Sequence, residues 1–345
     1  MRVTHLVPAL LIAAVAWGTP PAPAAAEEDT SRTTWAVEPA NADGPDSRVS
    51  VRTELVPGAT VVEHVAVTNY SAQETTFDVY ASDGVVTADG QFDLLPAGTP
   101  PEDAGAWMSV GDAGPGETVQ VVVGPEATVT VPVGITVPED ATPGDHPAGV
   151  VASVSRDPGE ESVTFDARVG VRMHLRVSGD LEPTLALTDV ETTYSPSWLP
   201  WRPGTLTIDY AVENTGNVRL GAETTASASG PFGWASREET GPSAREVLPG
   251  QAAGGSVTVD AWPLVRTGGS VSVVPVVVGD DLVEVALTDA SATWTVWTVP
   301  WLHLGLLLVA AGTLVALVQA RRRREARTER RIAEAVAAAR PAATA

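Results

Sequence analysis

The sequence contains no cysteine. That excludes disulfides, a thiol nucleophile and the lipidated cysteine of a lipoprotein, so an exported chain of this kind is held together by packing alone. It contains no lysine either, because all 21 basic residues are arginine. A phosphate-loop lysine and a Schiff-base lysine are thereby excluded. Histidine is scarce, with 5 in 345 residues. His64, His146 and His174 lie between the two ends of the chain, and none is paired at His-x-His or His-x-x-x-His spacing, so no metal is expected. There is no Gly-x-Ser-x-Gly nucleophile elbow. The 40 carboxylates between Glu27 and Pro300 could always supply a close pair for glycoside hydrolysis, and so their abundance singles none out. Neither an enzymatic activity nor a cofactor is expected.

Cationic charge is equally scarce in the body of the chain. Between Glu27 and Pro300 stand 12 Arg against 40 Asp and Glu, a net of −28. A surface of that sign repels nucleic acid, which is excluded as a partner. The other arginines sit at the ends. Arg2 precedes the apolar run Leu6 to Trp17, and Ala24-Ala25-Ala26 offers a small-residue cleavage site, so residues 1–26 read as a signal peptide. Residues 299–320 carry no formal charge and are long enough to cross a bilayer. Arg321-Arg322-Arg323-Arg324 follows at once and marks the cytoplasmic side of a transmembrane helix, with Trp294, Trp297 and Trp301 at its outer end. The expected placement is a single-pass plasma-membrane protein with its N-terminus outside, membrane lipid around 299–320, and a short basic tail, 321–345, in the cytoplasm.

The apolar period between the ends is two. Val129, Val131, Val133, Ile135 and Val137 alternate with small or polar residues, as do Val169, Val171, Met173, Leu175 and Val177, and Leu206, Ile208, Tyr210 and Val212. Each run has one face for a core and one for water. Pro132 suggests an edge strand or a bulge. Pro-Gly and Asp-Gly pairs punctuate the runs, and short strands at that spacing predict antiparallel β-sandwiches. A weak repeat points to two of them. Pro57-Gly58 leads through an apolar strand to Asn69, and Pro203-Gly204 leads through another to Asn214, offsets of twelve and eleven residues. The expected fold is all-β, with two Ig-like antiparallel sandwiches at 33–178 and 183–293, then one transmembrane helix.

The first of these resembles the peptidoglycan-binding domain of the WxL-interacting proteins of Gram-positive bacteria. The residues that carry the resemblance are Trp35, Leu55-Val56-Pro57-Gly58 before Val65-Ala66-Val67-Thr68-Asn69, Trp107, and the stretch from Ile135-Thr136-Val137-Pro138 to Gly144-Asp145-His146. The second, with Glu213-Asn214-Thr215-Gly216-Asn217, looks like the Ig-like domain that often follows. The resemblance implies non-catalytic binding to peptidoglycan, or to another cell-surface protein in an envelope complex.

Two features are candidate ligand-binding surfaces. Period two puts Arg168, Arg172, His174 and Arg176 on one side of a strand, where guanidinium forks suit carboxylates. Cross-strand pairing with Asp or Glu is the alternative. The proline-rich stretch 194–201 carries Trp198 and Trp201, which could stack on sugars or anchor a protein contact; the alternatives are a loop folded back on its own domain, or packing between the two domains.

Overall fold

A computed structural model describes residues 33–87, 90–156, 165–279, 281, 283 and 285–339; the expected signal peptide, 1–26, lies outside them. The strands are β1 Trp35–Asn41, β2 Gly44–Pro45, β3 Val51–Leu55, β4 Thr60–Asn69, β5 Thr75–Val86, β6 Phe92–Leu94, β7 Met108–Val110, β8 Thr118–Val123, β9 Thr128–Thr136, β10 Gly144–Arg156 and β11 Phe165–Val177. A second set follows: β12 Leu185–Ser195, β13 Gly204–Asn214, β14 Leu220–Ser229, β15 Arg237–Thr240, β16 Ala244–Val247, β17 Ala252–Ala261, β18 Val265–Val277 and β19 Ala290–Thr298. One helix, α1, closes the described chain at Trp301–Ala339. The protein is thus all-β with a terminal helix.

The strands form four sheets, ordered β2-β1-β4-β9-β7, β3-β11-β10-β5-β6 with β8 on β5, β12-β13-β17, and β15-β14-β18-β19 with β16 on β14. The first two sheets share one core, in which Phe77, Met108, Ile135, Met173 and Leu175 are buried. The last two share another, built on Leu206, Ile208, Tyr210, Leu220, Val271 and Trp294. The period-two runs do this directly. Met173 and Leu175 point into the first core, whereas Arg172, His174 and Arg176 point out of it.

The pairing departs from an all-antiparallel pattern at one place, because β3 runs parallel to β11. Parallel neighbours need a long crossover, and the strands between β3 and β11 supply it. Pro132 is not on an edge strand. It lies in β9 between β4 and the short β7, beyond the last residue that β7 pairs. Its carbonyl accepts the Gly111 N–H at 2.8 Å, and its missing N–H falls where β7 has already ended.

The two asparagines of the repeat end equivalent strands, and both are fully buried. Asn69 Nδ2 donates to the carbonyls of Gln73, Val123 and Gly124, and its Oδ1 accepts the Ser71 N–H. Asn214 Nδ2 donates to the carbonyls of Val218 and Val247, and its Oδ1 accepts the Gly216 N–H. One side chain therefore satisfies a turn and the opposing loop, where backbone carbonyls would otherwise be buried unpaired. The Asn-x-Ser sequence at Asn69 is a structural turn with its amide occupied.

The helix α1 begins at Trp301, directly after Pro300, rather than at 299, because proline fits the position before a helix but lacks the N–H to continue a ladder. It runs for 39 residues, so the basic tail continues the apolar segment without a break, as its Ala, Arg and Glu content favours. Its apolar part is long enough to cross a bilayer and is exposed beyond its first turn. Replacement of the second buried asparagine, Asn214→Ala, should lower the unfolding free energy by about 2 kcal/mol, by orphaning two buried carbonyls. Chemical denaturation checks this, and an unchanged midpoint would contradict the role assigned to the amide.

Candidate functional site

The polar face of β11 points at the second unit. Arg172 Nη1 donates to Glu246 Oε2 at 3.1 Å and its guanidinium lies 4.0 Å over the Phe92 ring. Arg176 grips Asp145 with two hydrogen bonds, from Nε at 2.6 Å and Nη2 at 3.0 Å. Arg168 donates to Asp93 at 2.7 Å, within the first unit. The predicted face exists, but its groups already meet protein partners.

At the centre lies Arg219, only 3% exposed, which sequence reading passed over. Its Nη1 donates to Glu246 at 2.8 Å, its Nε to Asp281 at 2.7 Å, and its backbone N–H to Asp145 at 2.9 Å. Arg52 reaches the same Asp281 at 2.7 Å. The signal available in the sequence was an arginine between Val218 and Leu220, apolar neighbours in an acidic chain. Glu246 before Val247-Leu248 is the matching signal, whereas Asp281 has none.

His174 joins this network as a neutral acceptor, receiving a hydrogen bond from Arg219 Nη1 on Nδ1 at 2.8 Å. Burial and the charges of Arg219, Arg52 and Arg172 push its pKa down to about 3. His146 is the opposite case. Its Nδ1 lies 2.7 Å from the Asp103 carboxylate and its Nε2 2.8 Å from the Thr142 carbonyl. Both ring nitrogens face acceptors, so both must donate, which requires the imidazolium. Burial opposes that charge, but these hydrogen bonds and the Asp103 and Asp145 charges outweigh it and raise the pKa.

His146 and Asp103 stand in a cleft of about 670 Å³ between the two units. The cleft is built outward from β5. Asp83 in that strand accepts N–H groups from Glu102 at 2.6 Å, Asp103 at 3.0 Å and Gly105 at 2.6 Å, which pins the short turn that carries Asp103. Trp107 packs on the His146 ring with centroids 4.6 Å apart. The second unit closes the cleft with two side-chain amides. Gln251 accepts the Val86 N–H at 2.6 Å and donates to the Gly84 carbonyl at 3.0 Å. Asn217 Nδ2 donates to the Pro143 carbonyl at 2.9 Å, and the Asn217 backbone carbonyl accepts the Asp145 N–H at 2.7 Å. Gly144 permits this approach, since a Cβ there would lie 2.3 Å from the Asn217 carbonyl oxygen. The remaining wall, with Thr99, Glu102, Asp103 and Thr142, presents mainly acceptors, suited to hydroxyl, amide and ammonium donors.

Trp198 and Trp201 are far from this cleft, in the connection between β12 and β13. Trp198 is 93% exposed and Trp201 is also exposed. Neither is packed between the two units. Their loop is tied instead to α1, through a hydrogen bond of 2.8 Å from His303 Nε2 to the Pro200 carbonyl.

No family model and no curated protein matches the sequence. Among solved structures, the class 5 fimbriae chaperone CfaA is 10% identical with a TM-score of 0.34, over 77% of this chain and 100% of that one. The Pseudomonas aeruginosa CupB2 chaperone is 12% identical with a TM-score of 0.30, over 72% and 97%. The CsuC–CsuE chaperone–tip adhesion subunit pre-assembly complex of Acinetobacter baumannii is 8% identical with a TM-score of 0.35, over 74% and 98%. Similarity at that level carries no argument about function.

Two outcomes are expected. Arg219→Ala leaves Glu246 and Asp281 short of a buried partner and should cost about 3–5 kcal/mol in denaturant unfolding, against the fractions expected of an exposed arginine; a loss below about 1 kcal/mol would show that the network is not the clamp described. His174 is held near 3 when folded and titrates at about 6.5 when unfolded. Between those values the unfolded chain binds more protons, so this group's stabilisation falls as pH is lowered through that window. His146, raised, has the opposite sign. His174→Gln should therefore soften the fall in Tm on going from about pH 7 to about pH 4, and an unaltered fall would remove His174 from the explanation.

Proposed function

We propose that this chain is a membrane-anchored cell-surface protein whose ectodomain is a non-catalytic binding module for the cell wall, with peptidoglycan as the ligand. The observation that carries the reading is the cleft between the two units. Its volume falls within the size range of small-ligand sites, about 300–1,000 Å³. Its acceptor-rich wall suits a polymer that offers sugar hydroxyls, acetamido N–H groups and stem-peptide amines.

The stretch from Ile135 to His146, which carries the most specific part of the resemblance to the WxL-interacting proteins, supplies Thr142, Pro143, Asp145 and His146 to that wall. This coincidence supports the family reading. With a net charge of −22, the chain adheres to an anionic wall through local hydrogen bonds rather than bulk attraction. Arg172 and His174 of the β11 face contribute indirectly, by holding the second unit against the first, so that Gln251 and Asn217 complete the cleft.

The detergent-solubilised full chain should sediment with peptidoglycan stripped of accessory polymers, at both low and high salt. Glu102→Gln together with Asp103→Asn should reduce the bound fraction about tenfold, the effect of losing roughly 1.4 kcal/mol. Failure of the parent chain to sediment at either salt would overturn the reading in favour of docking to another surface protein.

A further inference from the structure

The end of the second unit that faces α1 has an unusual surface. Four connections meet there, because β12 and β13, β14 and β15, β17 and β18, and β19 and α1 all turn at that end: Ser195 pairs with Thr205, Gly204 with Ala261, Ser229 with Gly268, and Val265 with Thr298. Residues 196–203, 230–236, 262–264 and 299–300 make these connections. They contain no Asp or Glu in a chain with 43, and four of its ten tryptophans. Connections are ordinarily polar. At the opposite end of the same unit the connections hold Asn217, Gln251 and Asp281, which bind Pro143, Gly84 and Arg52 of the first unit.

These aromatics are not buried. Phe232 is 100% exposed, on a backbone with φ of 60° that holds a bulky side chain in the left-handed region. Trp198, Trp201, Trp234, Trp297 and Trp301 are exposed with it. An apolar cavity of about 450 Å³ between Trp234, Leu264 and Pro300 continues the patch to the first turn of α1. Arg202, Arg237 and Arg266 are exposed beside it, three of the 12 arginines of an otherwise acidic region. Exposed aromatics and arginines ringing the start of an apolar helix match the layered chemistry of a bilayer surface, where rings favour the interface and arginines favour anionic headgroups.

We propose that this end of the second unit rests in the headgroup layer of a lipid bilayer, with Trp198, Trp201, Phe232 and Trp234 inserted around the emerging helix. The inference rests on reading α1 as a membrane span. It assigns the tryptophan loop to lipid rather than to sugar. It also orients the molecule, because the hydrogen bond from His303 to Pro200 and the inserted rings fix the second unit upright and hold the cleft away from the membrane.

The absence of cysteine allows single dye attachment. Phe232→Cys, Trp198→Cys, Leu314→Cys in α1 and Val49→Cys on the exposed surface of the first unit would each carry an environment-sensitive dye. Each full-length variant is reconstituted into phosphatidylcholine–phosphatidylglycerol vesicles, with and without lipids spin-labelled near the headgroup or deep in the acyl chain. Dyes at 232 and 198 should be quenched by the shallow label, the dye at 314 by the deep label, and the dye at 49 by neither. If 314 is quenched while 232 and 198 behave like 49, the span holds and the proposal fails. If 314 escapes quenching as well, the membrane reading fails and the proposal falls with it. Lipid-insensitive dyes at 232 and 198 that are nevertheless shielded from aqueous iodide would also overturn it, by showing the patch covered by a second copy or another protein.

Discussion

Arg219 is an almost fully buried cation that belongs to the second unit, and half of its surroundings belong to the first. Removing a guanidinium from water is strongly unfavourable unless counter-charges and acceptors lie close to it. Here Glu246 and Asp281 supply the counter-charges, His174 accepts a further hydrogen bond from Nη1, and the Asp145 carboxylate accepts the backbone N–H of Arg219. A small rotation of one unit against the other would break the contacts that cross the joint, Arg52 to Asp281, Arg172 to Glu246, and Arg219 to His174 and Asp145. Two sandwiches with separate hydrophobic cores are thereby held in one relative position, where an ordinary apolar contact would tolerate sliding.

The protonation states follow from the same cluster. Four arginines, Arg52, Arg172, Arg176 and Arg219, converge on three carboxylates, Asp145, Glu246 and Asp281. Burial first, and then the positive charges of Arg219, Arg52 and Arg172, keep His174 neutral, and a neutral ring is what Arg219 needs as an acceptor. A short distance away His146 sits among carboxylates and a carbonyl, which favour its protonated form. Two histidines on neighbouring strands are driven apart in opposite directions by the signs of the groups around them. Neither requires a ligand or a metal to explain it.

Position also divides the aromatic and basic residues into two kinds of work. Arg172 on β11 joins the units through Glu246, whereas Arg202, Arg237 and Arg266 near the start of α1 stay exposed. Trp35 and Trp107 pack on Phe77 and His146 in the first unit, and Trp294 is buried in the second core. The remaining tryptophans at the end nearest α1 have no core to enter. The molecule is thus graded along its length, from an acidic first unit, through a charge-locked joint with an acceptor-rich cleft, to an aromatic base and an apolar helix.

Much of this gradation is written locally. Strands with alternating faces, the Pro-Gly turns, the paired asparagines ending β4 and β13, and the apolar segment with its arginine cluster are all set by residues within a turn or two of each other. That is why the all-β class and the terminal helix could be read from the sequence. Which side chains Arg172 and His174 would face could not. Their partners Glu246 and Arg219 lie 74 and 45 residues away, on another unit. The parallel pairing of β3 with β11, the burial of Arg219 and the cleft at His146 belong to the same category. Period two tells which face of a strand is polar, but an arginine facing water and an arginine facing a buried carboxylate have the same local pattern. Only the docking of one sheet against another decides between them, because the free energy of a charge depends on what surrounds it in space rather than on its neighbours in sequence.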